Sequence, residues 1–528
     1  MSGSAPPVFP WGADDTPVGI LLSRLARDHG DHVYCRFGVR EYAVREIETA
    51  ANRVARALAR RGIVAGDRIG VMLDHHPDHV IVFFALAKLG TIMVPLNVHL
   101  RGASLEHLLR DGDLASLIVE GRLAETLRPI LATTPVGRVI WRGRPLGLEG
   151  EEFADLLAHP ESEPPAHAVA PGDIAVILYT SGTTGLPKGV LLTDLMVRTA
   201  ACAAGRIADA REGDVFLMWE PINHIGGLEV LVLAVQHRIT LVIVERFSVS
   251  HFWSDVREHG VTHLHFLGGV LALLLKAAPR PDDRDHQIRV AWGGGCPVSI
   301  WRAFEERFGI PIREGYGMTE CASFSTQNLT GKLGSIGACL PYLEMRVVDE
   351  EGHSLQPGMR GEFWVRGKLP GIITPGYWRN PVATAALFDG DWLKTGDIGW
   401  RDEAGDFFYT GRKKDSVRRR GENVTAFEVE RVLNEHPAII ESAIIGVPNA
   451  LADEDIKAFI RLRPSETLDP FALINWCESR MGYFQIPRYI AFVESLPKTP
   501  SERIRKDALS RTTEDCWDLE HSGYKLRR

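Results

Sequence analysis

Tyr179-Thr-Ser-Gly-Thr-Thr-Gly-Leu-Pro-Lys-Gly189 follows directly on the apolar run 173–178 (DIAVIL), and the pair constrains this chain more than any other segment. The run reads as a buried strand. The loop therefore belongs at a strand's end, where Gly182, Gly185 and Gly189 let backbone N–H groups approach an anion closely. Ser181, Thr183 and Thr184 add hydroxyl donors, and Lys188 adds a point charge. A Walker A loop would end in Gly-Lys-Ser/Thr, but here Pro187 precedes Lys188 and Gly189 follows it, so the P-loop NTPase reading fails. The plainer alternative is a flexible Gly/Ser/Thr turn; three hydroxyls upstream of a Pro-Lys pair favour a phosphate cradle.

A chain of 528 residues exceeds the roughly 250–300 residues at which a single core stops growing, so two or more domains are expected. Apolar residues make up 45% of the composition, enough for a large core. The formal charge of -8 argues against a general nucleic-acid binder, which needs a basic surface to displace counterions from phosphates. The seven cysteines (Cys35, Cys202, Cys296, Cys321, Cys339, Cys477 and Cys516) are scattered, the nearest two being Cys321 and Cys339. That spacing fits neither a zinc knuckle nor a disulfide framework and predicts reduced thiols in a cytoplasm. Residues 1–10 have no basic start and no apolar core, so no secretory signal is expected. The most apolar stretches, 80–87 and 230–235, are cut short by Lys88 and Gln236, below the about 20 residues a membrane span needs. The end, Lys525-Leu-Arg-Arg528, is not a peroxisomal address.

Val44, Ile47, Ala51, Val54 and Leu58 recur at helical spacing and stop before Gly62, predicting an amphipathic helix. A strand over 68–73 and an apolar helix over 76–89 follow. The alternation continues with a strand over 240–244, a helix over 250–259 and a strand over 262–267, a layered α/β pattern without internal repeats. The Pro-rich 161–171 reads as a surface connection. After Tyr409-Thr-Gly411 the character changes to a dense basic run and then an α+β pattern, with helices over 426–434 and 470–481 and strands over 442–447 and 457–462. The 117 residues beyond Gly411 suffice for one small domain, and the boundary falls at the basic run.

Four shorter motifs each admit two readings. Glu314-Gly-Tyr-Gly-Met-Thr-Glu320 sets a hydroxyl beside a carboxylate in a glycine-bearing turn; Mg²⁺ near phosphates takes such oxygen ligands, and a helix start capped by Thr319 explains the pair equally. Trp292-Gly-Gly-Gly-Cys-Pro297 reads as a tight turn after a strand, and its glycines also admit a flat base. Leu393-Lys-Thr-Gly-Asp397 offers a carboxylate for two ribose hydroxyls, or simply a turn aspartate. Residues 412–420 (RKKDSVRRR) pack Arg412, Lys413, Lys414, Arg418, Arg419 and Arg420 around one acid. By composition this is a solvated loop or a nucleic-acid patch; by position, ahead of Gly421-Glu-Asn-Val-Thr425, it is a mobile interdomain linker.

In this order, YTSGTTGLPKG, GGGCP, EGYGMTE, GEFWVRG, TGD, GRKKD and LPKTPS (496–501) resemble the adenylate-forming superfamily of acyl-CoA synthetases, luciferases and peptide-synthetase adenylation domains. Within it the chain is most similar to fatty-acid- or carnitine-CoA ligases, and the resemblance runs over essentially its whole length. It implies a large multi-layer N-terminal α/β domain (1–411) and a small mobile C-terminal α+β lid (412–528), hinged at Lys414. The implied reaction has two steps: a carboxylate attacks the α-phosphate of ATP, and a thiol, commonly that of coenzyme A, then attacks the acyl-adenylate. By the same resemblance Thr180, Ser181, Gly182, Thr183, Thr184, Gly185 and Lys188 hold the β- and γ-phosphates. Thr319 meets the α-phosphate and Glu320 binds Mg²⁺. Asp397 and Arg412 hold the ribose. Gly294, Gly295, Cys296 and Tyr316 frame adenine, with Glu314, Gly315 and Gly317 in the same nucleotide site. Gly421 belongs to the lid face used for thioester formation.

His224, in Glu220-Pro-Ile-Asn-His-Ile-Gly-Gly227, aligns with a histidine beside the acyl site. Two departures stand out. Asn223 occupies a place where an aromatic is common, with Trp219 and Glu220 just before it, which implies an acid pocket more polar than a fatty-acyl tunnel. Trp219 and Glu220 also suit a cationic, betaine-like acid, since aromatic faces and carboxylates attract quaternary ammonium groups; a purely structural role for both is the alternative. In Pro500-Ser-Glu-Arg-Ile-Arg-Lys506, Arg503 stands where the family carries a lysine that stabilises charge at the α-phosphate. Arginine keeps the charge but presents a planar fork. Either Arg503 serves, or Lys506 reaches in, or adenylation is slow.

The expectation is therefore an ATP-, Mg²⁺- and coenzyme A-dependent ligase acting on a small or medium carboxylic acid in the cytoplasm, with no nucleic-acid partner, no integral membrane association and a homodimer left open. Its rivals are an enzyme that loads a carrier-protein thiol and a nucleotide-binding pseudoenzyme.

Overall fold

The computed structural model describes residues 16–165, 169–180, 187–267, 269–419, 422–449, 454–483, 485–499 and 503–526. The amphipathic period read from Val44 onward produces the helix Val44–Arg60, which buries Val44, Ile47, Ala51, Val54 and Leu58. The apolar run after it produces the helix Pro77–Leu89, with Pro77 in its first turn, His76 accepting the N–H of Asp78, and left-handed Gly90 closing it. The strands Arg68–Met72, Thr240–Ile243 and His263–Leu267 and the helix Val249–His259 fall where the alternation places them.

Two sheets carry the large N-terminal domain. One runs Glu151–Glu152, Val139–Arg142, Ser116–Glu120, Arg68–Met72, Ile92–Pro95, Ile174–Thr180, Lys188–Thr193, all parallel except the last pair, which is a hairpin. The other has a parallel centre of Ile312–Met318, Val290–Gly294, His263–Leu267, Val215–Met218, Thr240–Ile243 and Val33–Phe37. It continues antiparallel through Ser323–Asn328, Gly337–Cys339, Asp406–Arg412, Trp392–Arg401, Gly361–Gly367 and Leu343–Val348. Helix Asp194–Ala208 packs against strands of both sheets and against helix Ile225–His237. Both helices are buried almost all round, which is why neither shows an amphipathic stripe.

A smaller C-terminal domain has its own core, in which Val429, Leu433, Ile444, Ile456, Ile460, Leu473 and Ile474 are buried together. Its sheet pairs Ile439–Pro448, Glu454–Leu462, Tyr489–Phe492 and Trp517–Asp518, backed by helices Ala426–Asn434 and Pro470–Glu478. The second helix stops three residues short of the expected 481, where the N–H groups of Arg480 and Met481 both turn back to the carbonyl of Cys477.

At Arg419 the basic run departs from the solvated loop that its composition implies. Arg412 ends a strand, Lys413–Asp415 form one short turn, and Ser416–Arg419 pair with Glu422–Thr425. Arg419 is 1% exposed, 3.2 Å from Asp455, and donates to the carbonyl of Ile486. A guanidinium with those partners is core, not an anion-binding surface. EGYGMTE and TGD also differ from the turns expected: the first lies in strand Ile312–Met318 and its following short turn, the second inside strand Trp392–Arg401. Residues 420–421 lie outside the described residues, as do residues 181–186, where the sequence predicts a phosphate cradle.

Arg360 pairs with Glu428 at 2.8 Å, Lys276 donates to the carbonyl of Ile440, and Tyr409 meets Phe427 edge-on, joining the two domains. Among the described residues no helix is long and apolar enough to cross a membrane.

Leu231, fully buried in helix Ile225–His237, tests the packing. Leu231→Ala should lower unfolding stability by about 2–5 kcal/mol, whereas Leu146→Ala, at a site 72% exposed, should stay within about 0.5 kcal/mol of wild type by denaturant titration.

Candidate active site

Open α/β sheets bind ligands in the crevice beyond the C-terminal ends of their parallel strands, and that is the candidate crevice of the larger sheet. Its floor is built around Glu314, Tyr316 and Asp397. The Glu314 carboxylate accepts the N–H groups of Gly295 (2.9 Å) and Cys296 (3.0 Å), so it pins the glycine turn after strand Val290–Gly294. Burial pushes its pKa up to about 7 against the opposing pull of those two N–H groups. Cys296 turns its thiol into the apolar cluster with Trp301 and Phe304, where burial raises its pKa; it meets the crevice only through backbone. Gly317 is required by crowding: a Cβ there would lie 1.5 Å from the carbonyl oxygen of Ser323. Gly294 and Gly315 lie on the neighbouring strands Val290–Gly294 and Ile312–Met318.

Tyr316 donates to Asp397 at 2.7 Å and stacks on Tyr409 with ring centres 6.1 Å apart. Asp397 is 1% exposed and pairs with Arg412 at 3.0 Å across the strands Trp392–Arg401 and Asp406–Arg412. Burial raises the Asp397 pKa, with Arg412 the largest opposing influence. Gly396 takes a left-handed φ of 70° just before it, and the Thr395 hydroxyl accepts the N–H of Asp397 at 3.0 Å.

On the phosphate side, Thr180 and Lys188 face each other at the mouth of the 181–186 loop. The Lys188 ammonium sits 5.1 Å from the Tyr377 ring centre, and the Tyr377 hydroxyl donates to Glu320 at 2.8 Å. Tyr377 thus bridges a cation and a carboxylate that sequence reading had connected only through resemblance. Thr319 and Glu320 are buried in the short turn Thr319–Cys321, and burial raises the Glu320 pKa. The pairing of Val190 with Tyr377 delivers that ring; the Gly376-Tyr-Trp378 sequence was its available signal.

On the acid side, His224 is the N-cap residue of helix Ile225–His237, and its Nδ1 is closed off from solvent without a hydrogen-bond partner. Burial first, then the cations of Arg503 and His265, lower its pKa to about 4. Arg503, exposed overall, comes from the C-terminal domain into the field of Arg412, Tyr409, Asp397 and His224. Its loop is closed by a hydrogen bond from its own N–H to the Thr499 hydroxyl at 3.1 Å and by the pairing of Lys498 with Ile504. Lys506 instead pairs with Glu430 at 2.8 Å within the small domain. Asn223 is half-buried next to His224. Trp219, just past strand Val215–Met218, packs its ring on Phe247 and donates its indole N–H to the His265 carbonyl at 3.2 Å, while the Glu220 carboxylate meets the His265 ring. The Lys414 backbone lies in the turn Lys413–Asp415; Gly421 lies outside the described residues.

A family model described as AMP-binding enzyme matches residues 22–378, and one described as AMP-binding enzyme C-terminal domain matches 428–503. The chain belongs to the AMP-binding enzyme family, and within it to the acyl-CoA ligase type of adenylating enzyme. It is 32% identical over 490 residues to a crotonobetaine/carnitine–CoA ligase of Salmonella arizonae, covering 90% of this chain and 94% of that one. The corresponding ligase of Salmonella paratyphi A is 32% identical, covering 92% and 97%. Among solved structures, the anthranilate CoA ligase AuaEII in complex with anthranoyl-AMP superposes with a TM-score of 0.85 at 26% identity, covering 93% and 96%. The o-succinylbenzoate CoA synthetase MenE of Bacillus subtilis, in complex with ATP and magnesium, superposes with a TM-score of 0.81 at 26% identity, covering 94% and 99%.

The His224 shift has a sign. Its folded pKa lies below the ordinary value of 6.5, so as pH falls from 6.5 toward 4 the unfolded chain takes up a proton that the folded ring refuses, and stability drops. His224→Asn should therefore lose less stability than wild type between those pH values in denaturant titrations. Equal losses would contradict the placement of the ring.

Proposed function

We propose that this chain is an ATP-dependent acid:CoA ligase that activates a small or medium carboxylic acid as its acyl-adenylate and transfers the acyl group to coenzyme A, releasing pyrophosphate and AMP. The observation that supports this reading is Arg503, which comes from the small domain near enough for its charge to act on both Asp397 and His224. We place the change from large domain to lid at Arg412 and the hinge at Lys414. Lid rotation would then withdraw Arg503 after the first step. The seven free thiols fit a reducing cytoplasm.

Asp397, already fixed by Arg412 and Tyr316, orients the ribose through its hydroxyls. Lys188 and the loop before it hold the β- and γ-phosphates. The acid's carboxylate attacks the α-phosphorus, the bond to pyrophosphate breaks, and negative charge builds on the non-bridging oxygens. Thr319 and the Arg503 fork donate to those oxygens. His224, uncharged at neutral pH, leaves Arg503 as the cation facing the reacting carboxylate. Glu320 fits a hard divalent cation: its carboxylate is buried, raised in pKa, and supported by the Tyr377 hydroxyl. Mg²⁺ held there supplies charge neutralisation for the phosphates. Since Lys506 is held by Glu430, Arg503 is the lid cation assigned to this step. The names of the relatives make a betaine-type acid the first to try.

Arg503→Ala should reduce acid-dependent pyrophosphate release by about 10²–10³-fold and leave thioester formation from synthetic acyl-adenylate much less affected. Arg503→Lys should raise the first step more than the second. Equal effects on both steps, or release independent of residue 503, would overturn the assignment.

A further inference from the structure

His224 lies in the field of both Arg503 and His265. An acid bound beside His224 with its carboxylate at Arg503 would then point its tail toward His265. There the strand ends carry a buried carboxylate–imidazole pair. Glu220, following strand Val215–Met218, is fully buried, and His265, in the adjoining strand, has its Nδ1 2.5 Å from the Glu220 carboxylate. Neither Glu220 oxygen has a well-directed hydrogen bond. His265 is held flat against Trp292, ring centres 3.9 Å apart and 6° from parallel, so the imidazole cannot readily turn to improve that contact. Glu229, five residues after His224, adds a second buried carboxyl, whose pKa is raised by burial and by Glu220. Glu220 is the carboxylate that meets His265, and its capacity to accept is not used up by protein.

Space at the pair is kept by a missing side chain. A Cβ on Gly226, two residues beyond His224, would stand 3.4 Å from the His265 ring and 3.9 Å from Glu220 Cγ. The bare glycine backbone is therefore the helix surface that faces both groups. An alkyl tail would bury the pair further without compensating it, whereas a cationic tail would give Glu220 a second counter-charge.

We propose that Glu220, opposed by His265, selects the acid by its far end, favouring a carboxylic acid that terminates in a quaternary ammonium group over one with an alkyl terminus of the same shape. This rests on the ligase reading above and assigns its specificity to a named pair. His265, already 2.5 Å from the Glu220 carboxylate, competes with the ligand for it. Removing the Glu220 charge and removing His265 should therefore move selectivity in opposite directions, which a purely structural role for the pair would not do.

The test uses the full-length protein with ATP, Mg²⁺ and coenzyme A, and compares AMP release from γ-butyrobetaine with that from its carbon isostere, in which a tert-butyl group replaces trimethylammonium. Wild type should favour the betaine in kcat/KM by at least about tenfold. Glu220→Gln should bring the ratio close to one, and His265→Asn should raise it above wild type. Because each ratio is measured within one protein preparation, partial loss of folding does not mimic the result, and either variant alone can decide it. A wild-type ratio near one, or a ratio unmoved by both variants, would overturn the specificity assignment while leaving the ligase reading intact. AMP release with neither compound nor any acid of a broad panel would overturn both.

Discussion

Asp397 ties the molecule together. A carboxylate this deeply buried is costly unless matched by charge and donors, and it is matched by Arg412 on the neighbouring strand and by the Tyr316 hydroxyl from the crevice floor. Arg412 is also the last residue of the strand from which the chain leaves the large domain. Arg503, 91 residues later, returns to the field of the same carboxylate. Most of the small domain is thus an excursion between two cations that act on Asp397, before the chain goes on to its last strand, Trp517–Asp518.

Charge along the crevice alternates in a way that burial controls. Arg412 and Arg503 supply cations near Asp397, burial and then Arg503 and His265 lower the His224 pKa to about 4, and burial raises that of Glu229. Only where a partner is fixed by geometry does a buried group have a counter-charge, as at Asp397 with Arg412 and at Glu220 with His265. The result is an anion-receiving half joined to an acidic end, with a neutral imidazole between them.

The layered α/β plan was legible because periodicity reports burial directly: the stripe of Val44, Ile47 and Ala51 and the capped apolar run at Pro77–Leu89 state their own faces. Helix Ile225–His237 was less so, since a helix covered on all sides has no stripe to read. EGYGMTE was misplaced into a turn because glycine there serves close strand contact, as the Gly317 crowding against Ser323 shows, and TGD because Gly396 takes a left-handed φ inside a strand; a glycine-bearing strand looks like a loop in composition. The basic run misled for a related reason: composition reports charge but not the partner, and Asp455, which buries Arg419, lies 36 residues downstream. Tyr377 and His265 were invisible for the same cause, since their contacts with Glu320 and Glu220 join segments far apart in the chain.

A structure with a non-hydrolysable acyl-adenylate analogue bound bears most directly on the shared role of Asp397 and Arg503. The expected result is ribose hydroxyls on the Asp397 carboxylate and the Arg503 guanidinium within hydrogen-bond distance of the analogue's phosphate-equivalent oxygens. A ribose away from Asp397, or a lid that meets those oxygens with Lys506 in place of Arg503, would contradict it.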